Sequence, residues 1–359
     1  MTPKRQADSV RLRDWGGIRE WDPRSASDAD LAAWLRGYNQ AIAVDLPNDP
    51  PWGPDLLREH LSITMPGERR VTWVAEADDG TPQGISAESL LGYARLLMLS
   101  GLGVLELFVP PWARRRGVGR ALLAAVAERA VTEGFTSLGV EVVGGTPSAA
   151  FYEAAGFRLV YTEMRSLLDL STIDWARLEE MAHSTGAGYR IDFHPTDLPD
   201  EILPAYAEAK QFRQVDPAGD LELRPSSYDV ERLRASLTCL TARGQRPYIV
   251  VAVHERSGAV AGLTELVVPA QHPSRADQYD TIIVPAHNGY GLARAIKARM
   301  LCELRAAEPQ LRDVQTWHAP ENEQLQQVNE ELGFKTDREW REYEAGSTEL
   351  ATWLRAAGH

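Results

Sequence analysis

The run Leu105-Glu-Leu-Phe-Val-Pro-Pro-Trp-Ala-Arg-Arg-Arg-Gly-Val-Gly-Arg-Ala-Leu-Leu123 decides how this chain is built. An extended apolar stretch passes straight into a helix-like one, and two glycines, Gly117 and Gly119, stand at the junction. Without a Cβ they let backbone N–H groups converge and a ligand approach closely, while the helix N-terminus adds partial positive charge. Arg114, Arg115, Arg116 and Arg120 crowd the same turn with guanidinium forks that suit phosphate oxygens. Strand, glycine turn, helix and arginines together describe a cradle for a diphosphate.

The turn occurs twice. Pro110 to Ala121 is echoed by Pro285 to Ala295, with Gly117 and Gly291 lying 174 positions apart. Glu106 and Asp280 keep that spacing, and the Gly-Phe pair ending at Phe157 answers the one ending at Phe334. Val44-Asp45-Leu46-Pro47 is echoed by Val215-Asp216-Pro217. Both halves follow one pattern. A helix comes first (27–44; 198–213), then paired strands (71–77 and 91–99; 248–254 and 260–268) and a short strand (105–109; 281–284). The glycine turn, a helix (119–133; 292–306), a further strand (137–143; 313–317) and a last helix ending at a glycine complete each half. The expected fold is therefore mixed α/β, with two tandem domains, each a mostly antiparallel mixed sheet flanked by helices. A helical linker over 174–184, stopped by Gly186-Ala-Gly188, places the boundary at 186, giving domains 1–186 and 187–359.

Composition excludes several classes. A formal charge of −13 disfavours a nucleic-acid partner, since phosphate contacts need a basic surface. No apolar run approaches the ~20 residues of a membrane span, and the basic N-terminus is not followed by a signal-like apolar stretch, so a cytoplasmic protein is expected. Cys239 and Cys302, the two cysteines, have neither disulfide nor metal-ligand spacing and read as core thiols, and no metal is expected.

The turn resembles motif A of the GCN5-related N-acetyltransferases (GNAT), Arg/Gln-x-x-Gly-x-Gly/Ala, with Arg114, Gly117 and Gly119 in its fixed places. Ala149 to Phe157, with Tyr152 ahead of Gly156-Phe157, resembles motif B of that family. The duplicated arrangement is similar to its tandem, mycothiol-synthase-like members of the actinobacterial type. The resemblance implies acetyl-CoA as acyl donor and a small-molecule primary amine as acceptor, as in antibiotic or amino-sugar modification. It also implies that pantetheine lies along the backbone of Phe108 and Val109, and that Arg114, Arg115, Arg116, Gly117, Val118, Gly119 and Arg120 hold the phosphates.

The chemistry needs two proton movements. An alkylamine with a pKa near ~10 must lose a proton before it attacks a thioester, and the departing thiolate, whose thiol has a pKa near ~8.5, gains from a nearby O–H donor. Glu106 stands where the family often carries its base or water-holding acid, with Glu141 as its neighbour candidate, and Tyr152 stands at the position of the acid. Gly145 occupies a position where the family often has Asn. In the second half Asn288 replaces the Arg of the motif and Asn329 replaces the Tyr, while Gly291 and Ala293 keep the turn and Asn322 supplies the Asn. Asp280 and His318 remain possible bases there, and His287 reads as a loop residue. Trp34, Tyr38, Trp52 and Trp317 are expected in the core or on a pocket wall. The first half is expected to be catalytic and the second structural or substrate-shaping, in a monomer or homodimer. The alternatives are a CoA-binding sensor or partner-binding protein without turnover, and catalysis by the second half.

Overall fold

A computed structural model describes residues 15–62, 69–77, 85, 89–99, 102–212 and 229–356. The echo at Val215-Asp216-Pro217 and the start of the chain lie outside these residues. Contacts divide the chain into two compact units. The first takes the chain up to Glu141, then Thr146–Arg158 and the segment from Tyr343 on; the second takes Val142–Gly145 and Leu159–Glu342. These units cut the chain differently from a boundary at 186: residues 159–186 group with the second, and the C-terminal segment returns to the first.

The first unit begins with β1 (Trp15–Glu20), α1 (Asp28–Asp45) and α2 (Pro54–Ser62). β2 (Arg69–Ala77), β3 (Leu90–Leu99) and β4 (Leu102–Phe108) follow, then α3 (Val118–Thr132), β5 (Ser137–Val143) and α4 (Pro147–Ala154). Strands β1 to β4 are antiparallel in chain order, whereas β4 and β5 run parallel. Helix α1 starts at a reciprocal cap: the Asp30 N–H donates to Ser27 Oγ and the Ser27 N–H donates to Asp30 Oδ2. Val118, Leu122, Leu123, Val126, Ala127 and Ala130 form the buried face of α3. A Cβ on Gly92 of β3 would stand 2.9 Å from the Leu122 and Val118 side chains, so glycine is what lets α3 lie this close to the sheet. That contact sets where the α3 N-terminus sits.

The second unit holds β6 (Arg158–Asp169), α5 (Trp175–His183), β7 (Tyr189–Pro195), α6 (Leu203–Lys210) and α7 (Val230–Ala242). It continues with β8 (Gln245–His254), β9 (Val260–Pro269), β10 (Arg275–Ile283), α8 (Leu292–Ala307), β11 (Asp313–His318), α9 (Glu323–Leu332) and β12 (Lys335–Gly346). The order β2-β3-β4-α3-β5-α4 is repeated as β8-β9-β10-α8-β11-α9, with the parallel pair again the third and fourth strands of the order. β10 begins earlier than its hydrophobicity suggests, because the polar stretch Arg275 to Asp280 alternates, burying Ala276 and Gln278. Its register with β9 shifts between Gln278 and Thr281, whereas β4 pairs with β3 without a shift. Both cysteines are half-buried, Cys302 against the core of the second unit, rather than fully enclosed.

From Tyr343 the chain completes the first unit. The fully buried Tyr343 donates its hydroxyl to Glu153 at 2.7 Å, and α10 (Ser347–Ala356) packs along α3. No helix among the described residues is long and apolar enough to cross a membrane.

Candidate active site

The parallel pairing of β4 with β5 runs from Leu102 opposite Ser137 to Leu105 opposite Val140 and stops there. The end of β4, Glu106 to Phe108, therefore has no partner in that register, and the expected backbone contacts of Phe108 and Val109 fall at this opening. A short 3-10 turn, Pro111–Ala113, carries the chain round to α3. Gly117 caps α3 with φ 85° and no side-chain cap, so the first helix N–H groups lack an acceptor within the helix. Space is open where a Cβ on Gly117 would go. One on Gly119 would rest 3.5 Å from the Phe151 ring, in ordinary contact. Arg115 holds φ 64°, a left-handed conformation that costs a side-chain-bearing residue about 1–2 kcal/mol.

The arginines of the turn divide by role. Arg114 is engaged within the protein: its two Nη atoms bind the Asp45 carboxylate at 2.9 and 2.6 Å, and its Nε donates to the Val109 carbonyl at 3.0 Å. It fastens the end of α1 to the end of β4, rather than presenting a free guanidinium to phosphate. Arg116 Nη1 and Arg120 Nη2, by contrast, are buried atoms without a hydrogen-bond partner. Arg120 also lies over the Trp353 ring of α10 at 5.3 Å. Arg115 is exposed.

Tyr152 sits on α4, 2% exposed, packed edge-on against Phe151 and Phe157. Its hydroxyl has no hydrogen-bond partner. Burial pushes the phenol well above the ordinary tyrosine range, so near neutral pH it is a protonated donor with its hydrogen bond unmade.

Glu106 is not a free carboxylate. Oε2 lies 3.2 Å from His60 Nε2 on α2, and Oε1 accepts from Arg95 of β3, a guanidinium only 5% exposed. Burial alone would raise the Glu106 pKa, but the charges of His60 and Arg95 and their hydrogen bonds overcome it and hold the group at about 2. A carboxyl so acidic is a poor proton acceptor, which moves the expected base role away from Glu106 itself. Glu141, the other candidate, is exposed on β5.

His60 borders an aromatic wall. The Trp52 ring meets His60 at 4.9 Å and Tyr38 at 4.6 Å, and Tyr38 lies 5.5 Å from Phe108. Asn39 fixes Trp52 through both ends of its amide, donating to the Trp52 carbonyl at 3.0 Å and accepting the Trp52 N–H at 2.9 Å. Trp34 stacks on Tyr38 but belongs to the core, at 1% exposure. His60, Arg95 and Asn39 were not among the expected site residues. None of the three lies in a sequence motif, and each meets partners distant in sequence.

The second unit repeats the backbone of the turn with other side chains around it. Gly291 caps α8 with φ 72°, and Gly289 takes φ 85° at the position of Arg115. Here the chain itself lies against the turn: the Gly186 N–H donates to the Tyr290 carbonyl at 3.3 Å, and a Cβ on Gly186 would meet the Tyr290 ring at 2.8 Å. The Ser184 carbonyl stands 3.5 Å from where a Cβ on Gly291 would be. His287, expected in a solvent-facing loop, instead accepts or donates a hydrogen bond at 2.8 Å with the Tyr189 hydroxyl. Asp280, a possible base, is ion-paired at 2.5 Å with the buried Lys210, which also holds Glu265 at 2.7 Å. Trp317 is half-buried on β11.

Comparison with known proteins places the chain among acetyltransferases. Residues 33–157 match the model of the acetyltransferase (GNAT) family, a span that holds both motifs and the aromatic wall. The chain is 29% identical over 272 residues to a mycothiol acetyltransferase of Parafrankia sp. (strain EAN1pec), covering 70% of this chain and 78% of that protein. It is 31% identical over 239 residues to a mycothiol acetyltransferase of Kineococcus radiotolerans, covering 63% of this chain and 70% of that protein. Among solved structures, a tandem GNAT protein from the clavulanic acid biosynthesis pathway superposes with a TM-score of 0.76 at 27% identity, over 92% of this chain and 98% of that one. A GCN5-related N-acetyltransferase from Sphaerobacter thermophilus shares the fold, with a TM-score of 0.65 at 16% identity over 92% and 95% of the two chains. The chain belongs to the acetyltransferase (GNAT) family and is an acyltransferase of tandem GNAT architecture.

Proposed function

We propose that the first unit transfers acetyl from acetyl-CoA to a primary amine of a small molecule, with Tyr152 as general acid and His60, oriented by Glu106, as the proton acceptor. The observation that carries this is the partnerless hydroxyl of Tyr152, a protonated phenol close to the Gly119 turn through its neighbour Phe151. The diphosphate takes the uncapped N-terminus of α3 and the spare donors of Arg116 and Arg120, and pantetheine takes the unpaired end of β4 at Phe108 and Val109. The acceptor, an alkylammonium in solution, is drawn to the faces of Tyr38, Trp52 and Phe108, an interaction of about 1 kcal/mol or more once desolvated.

Proton balance follows the pKa order. Glu106, also paired with Arg95, stays ionised and holds His60 Nε2, and in the neutral form of the imidazole the other ring nitrogen takes the ammonium proton. The amine nitrogen bonds to the thioester carbon, the C–S bond breaks as the tetrahedral intermediate collapses, and Tyr152 gives its proton to the departing thiolate. The acceptor fits the small-molecule class that the relatives' name denotes, with amino sugars and amine-bearing antibiotics as members of the panel to test. Thiol release from acetyl-CoA across that panel tests the function; binding of CoA with no release under any amine would overturn it in favour of a sensor.

A further inference from the structure

Lys297 lies on the inner face of α8, 1% exposed, where the spacing from the capping glycine gives Leu123 in the first unit. Its Nζ has no hydrogen-bond partner, and the contact it makes is with the Phe334 ring, 5.2 Å away. His318, 5% exposed at the end of β11, has an unpartnered Nδ1, and it is near enough for the Lys297 charge to lower its pKa. Asn329 of α9, 1% exposed, leaves both Nδ2 and Oδ1 without partners. Asn329 precedes Phe334 by the spacing at which Tyr152 precedes Phe157, and β11 register puts His318 at the position of Val142. Three positions that are leucine, valine and tyrosine in one copy are thus lysine, histidine and asparagine in the other.

Enclosing an amine, an imidazole and an amide with no partners is expensive, since each buried polar group without a hydrogen bond costs about 1–3 kcal/mol and a charge more. The enclosed and half-buried carboxylates of this unit are engaged elsewhere: Glu265 and Asp280 with Lys210, Glu308 with Arg246 and Tyr248, and Asp277 with Gln315, while Glu330, whose charge reaches His318, is exposed on α9. What the three groups lack is an anion with more than one acceptor oxygen. We propose that the second unit encloses a binding site for a small carboxylate, formed by Lys297, His318 and Asn329 over the ring of Phe334. One carboxylate oxygen meets the Lys297 ammonium and the other takes the Asn329 Nδ2 hydrogens, with His318 Nδ1 completing the shell. The site is separate from the acyl-donor turn of that unit, against which residues 184–186 lie.

The test is thermal unfolding of the full chain in sodium acetate against sodium chloride at equal ionic strength, with Lys297→Met and Asn329→Leu alongside. Acetate at ten times its Kd should raise Tm by about 3 °C or more over chloride in the native protein and by nothing in either variant. Lys297→Met keeps the volume and removes a buried unpaired amine, so it is expected to fold. Equal Tm in the two salts, or the same acetate shift in both variants, would overturn the proposal. So would a high-resolution structure in acetate with only water at Lys297 Nζ.

Discussion

The two glycine turns share a backbone and differ in what approaches it. Both follow a 3-10 turn after the first strand of the parallel pair, β4 or β10, and both enter a helix through a left-handed glycine, Gly117 at φ 85° and Gly291 at φ 72°. In the second unit the residue two before that cap is Gly289, which adopts its positive φ without strain; in the first it is Arg115, forced to φ 64°. Strain of that sort persists where the surroundings or a ligand require the side chain. The neighbours diverge in the same sense. Arg294, the counterpart of Arg120, donates through Nη1 to Glu331 at 3.3 Å, although each of the two arginines leaves one buried nitrogen unpaired. Residues 184–186 lie on the second turn, and space is open over Gly117. The duplicated glycine turn is thus kept as backbone in both copies, while the open space over the capping glycine and the arginine at positive φ are found in the first.

The strongest test of this contrast is Tyr152→Phe, which removes a single oxygen and should lower kcat about 10²–10⁴-fold, with the Kd for CoA nearly unchanged. An unaltered kcat would remove Tyr152 from the chemistry and reopen the second unit as the working copy. His60→Gln keeps a polar side chain toward Glu106 but cannot take a proton near neutrality. It should cost about 10²-fold in kcat, and an unchanged kcat would return the base role to a water or to Glu141. Arg116→Ala should weaken CoA binding about tenfold, the worth of one charge-assisted hydrogen bond, while Asn288→Ala on the other turn should leave it alone. Calorimetric titration should give one CoA per chain; two would show that residues 184–186 do not close the second turn.

Much of this was legible before any coordinates. The turn at Gly117, the strand before it, α3 after it and their repetition around Gly291 are local, because glycines and hydrophobic period specify them over a dozen residues. Tyr152 could be picked out because its neighbours Gly156 and Phe157 are also local. The roles of Arg114 and Glu106 were less readable, since their partners are distant in sequence: Asp45 for the first, His60 and Arg95 for the second. A charged residue at a motif position does not disclose whether its charge is already spent. The place of the C-terminal segment is hard to read from sequence for a related reason. Tyr343 and Trp353 look like ordinary late elements of the second half, and only long-range packing shows that they serve Glu153 and Arg120 in the first unit.

The smallest effect concerns the second unit alone. Burial lowers the Lys297 ammonium to about 7 from an ordinary lysine value near 10.5. Between those two values the unfolded chain binds a proton that the folded chain does not, so stability falls as pH drops from about 10.5 to about 7 and is flat below. Replacing Lys297 with Met, which matches the apolar character of Leu123 in the first unit, should abolish that slope and raise stability most at and below pH 7. Urea midpoints at pH 7 and pH 9 measure it: the native protein should gain stability with pH and the variant should gain less. Identical slopes would mean that Lys297 is protonated throughout and already has an anionic partner. Adding acetate should act as such a partner and shrink the native slope toward that of the variant, since a carboxylate beside Nζ favours the charged amine and carries its pKa back toward the unfolded value.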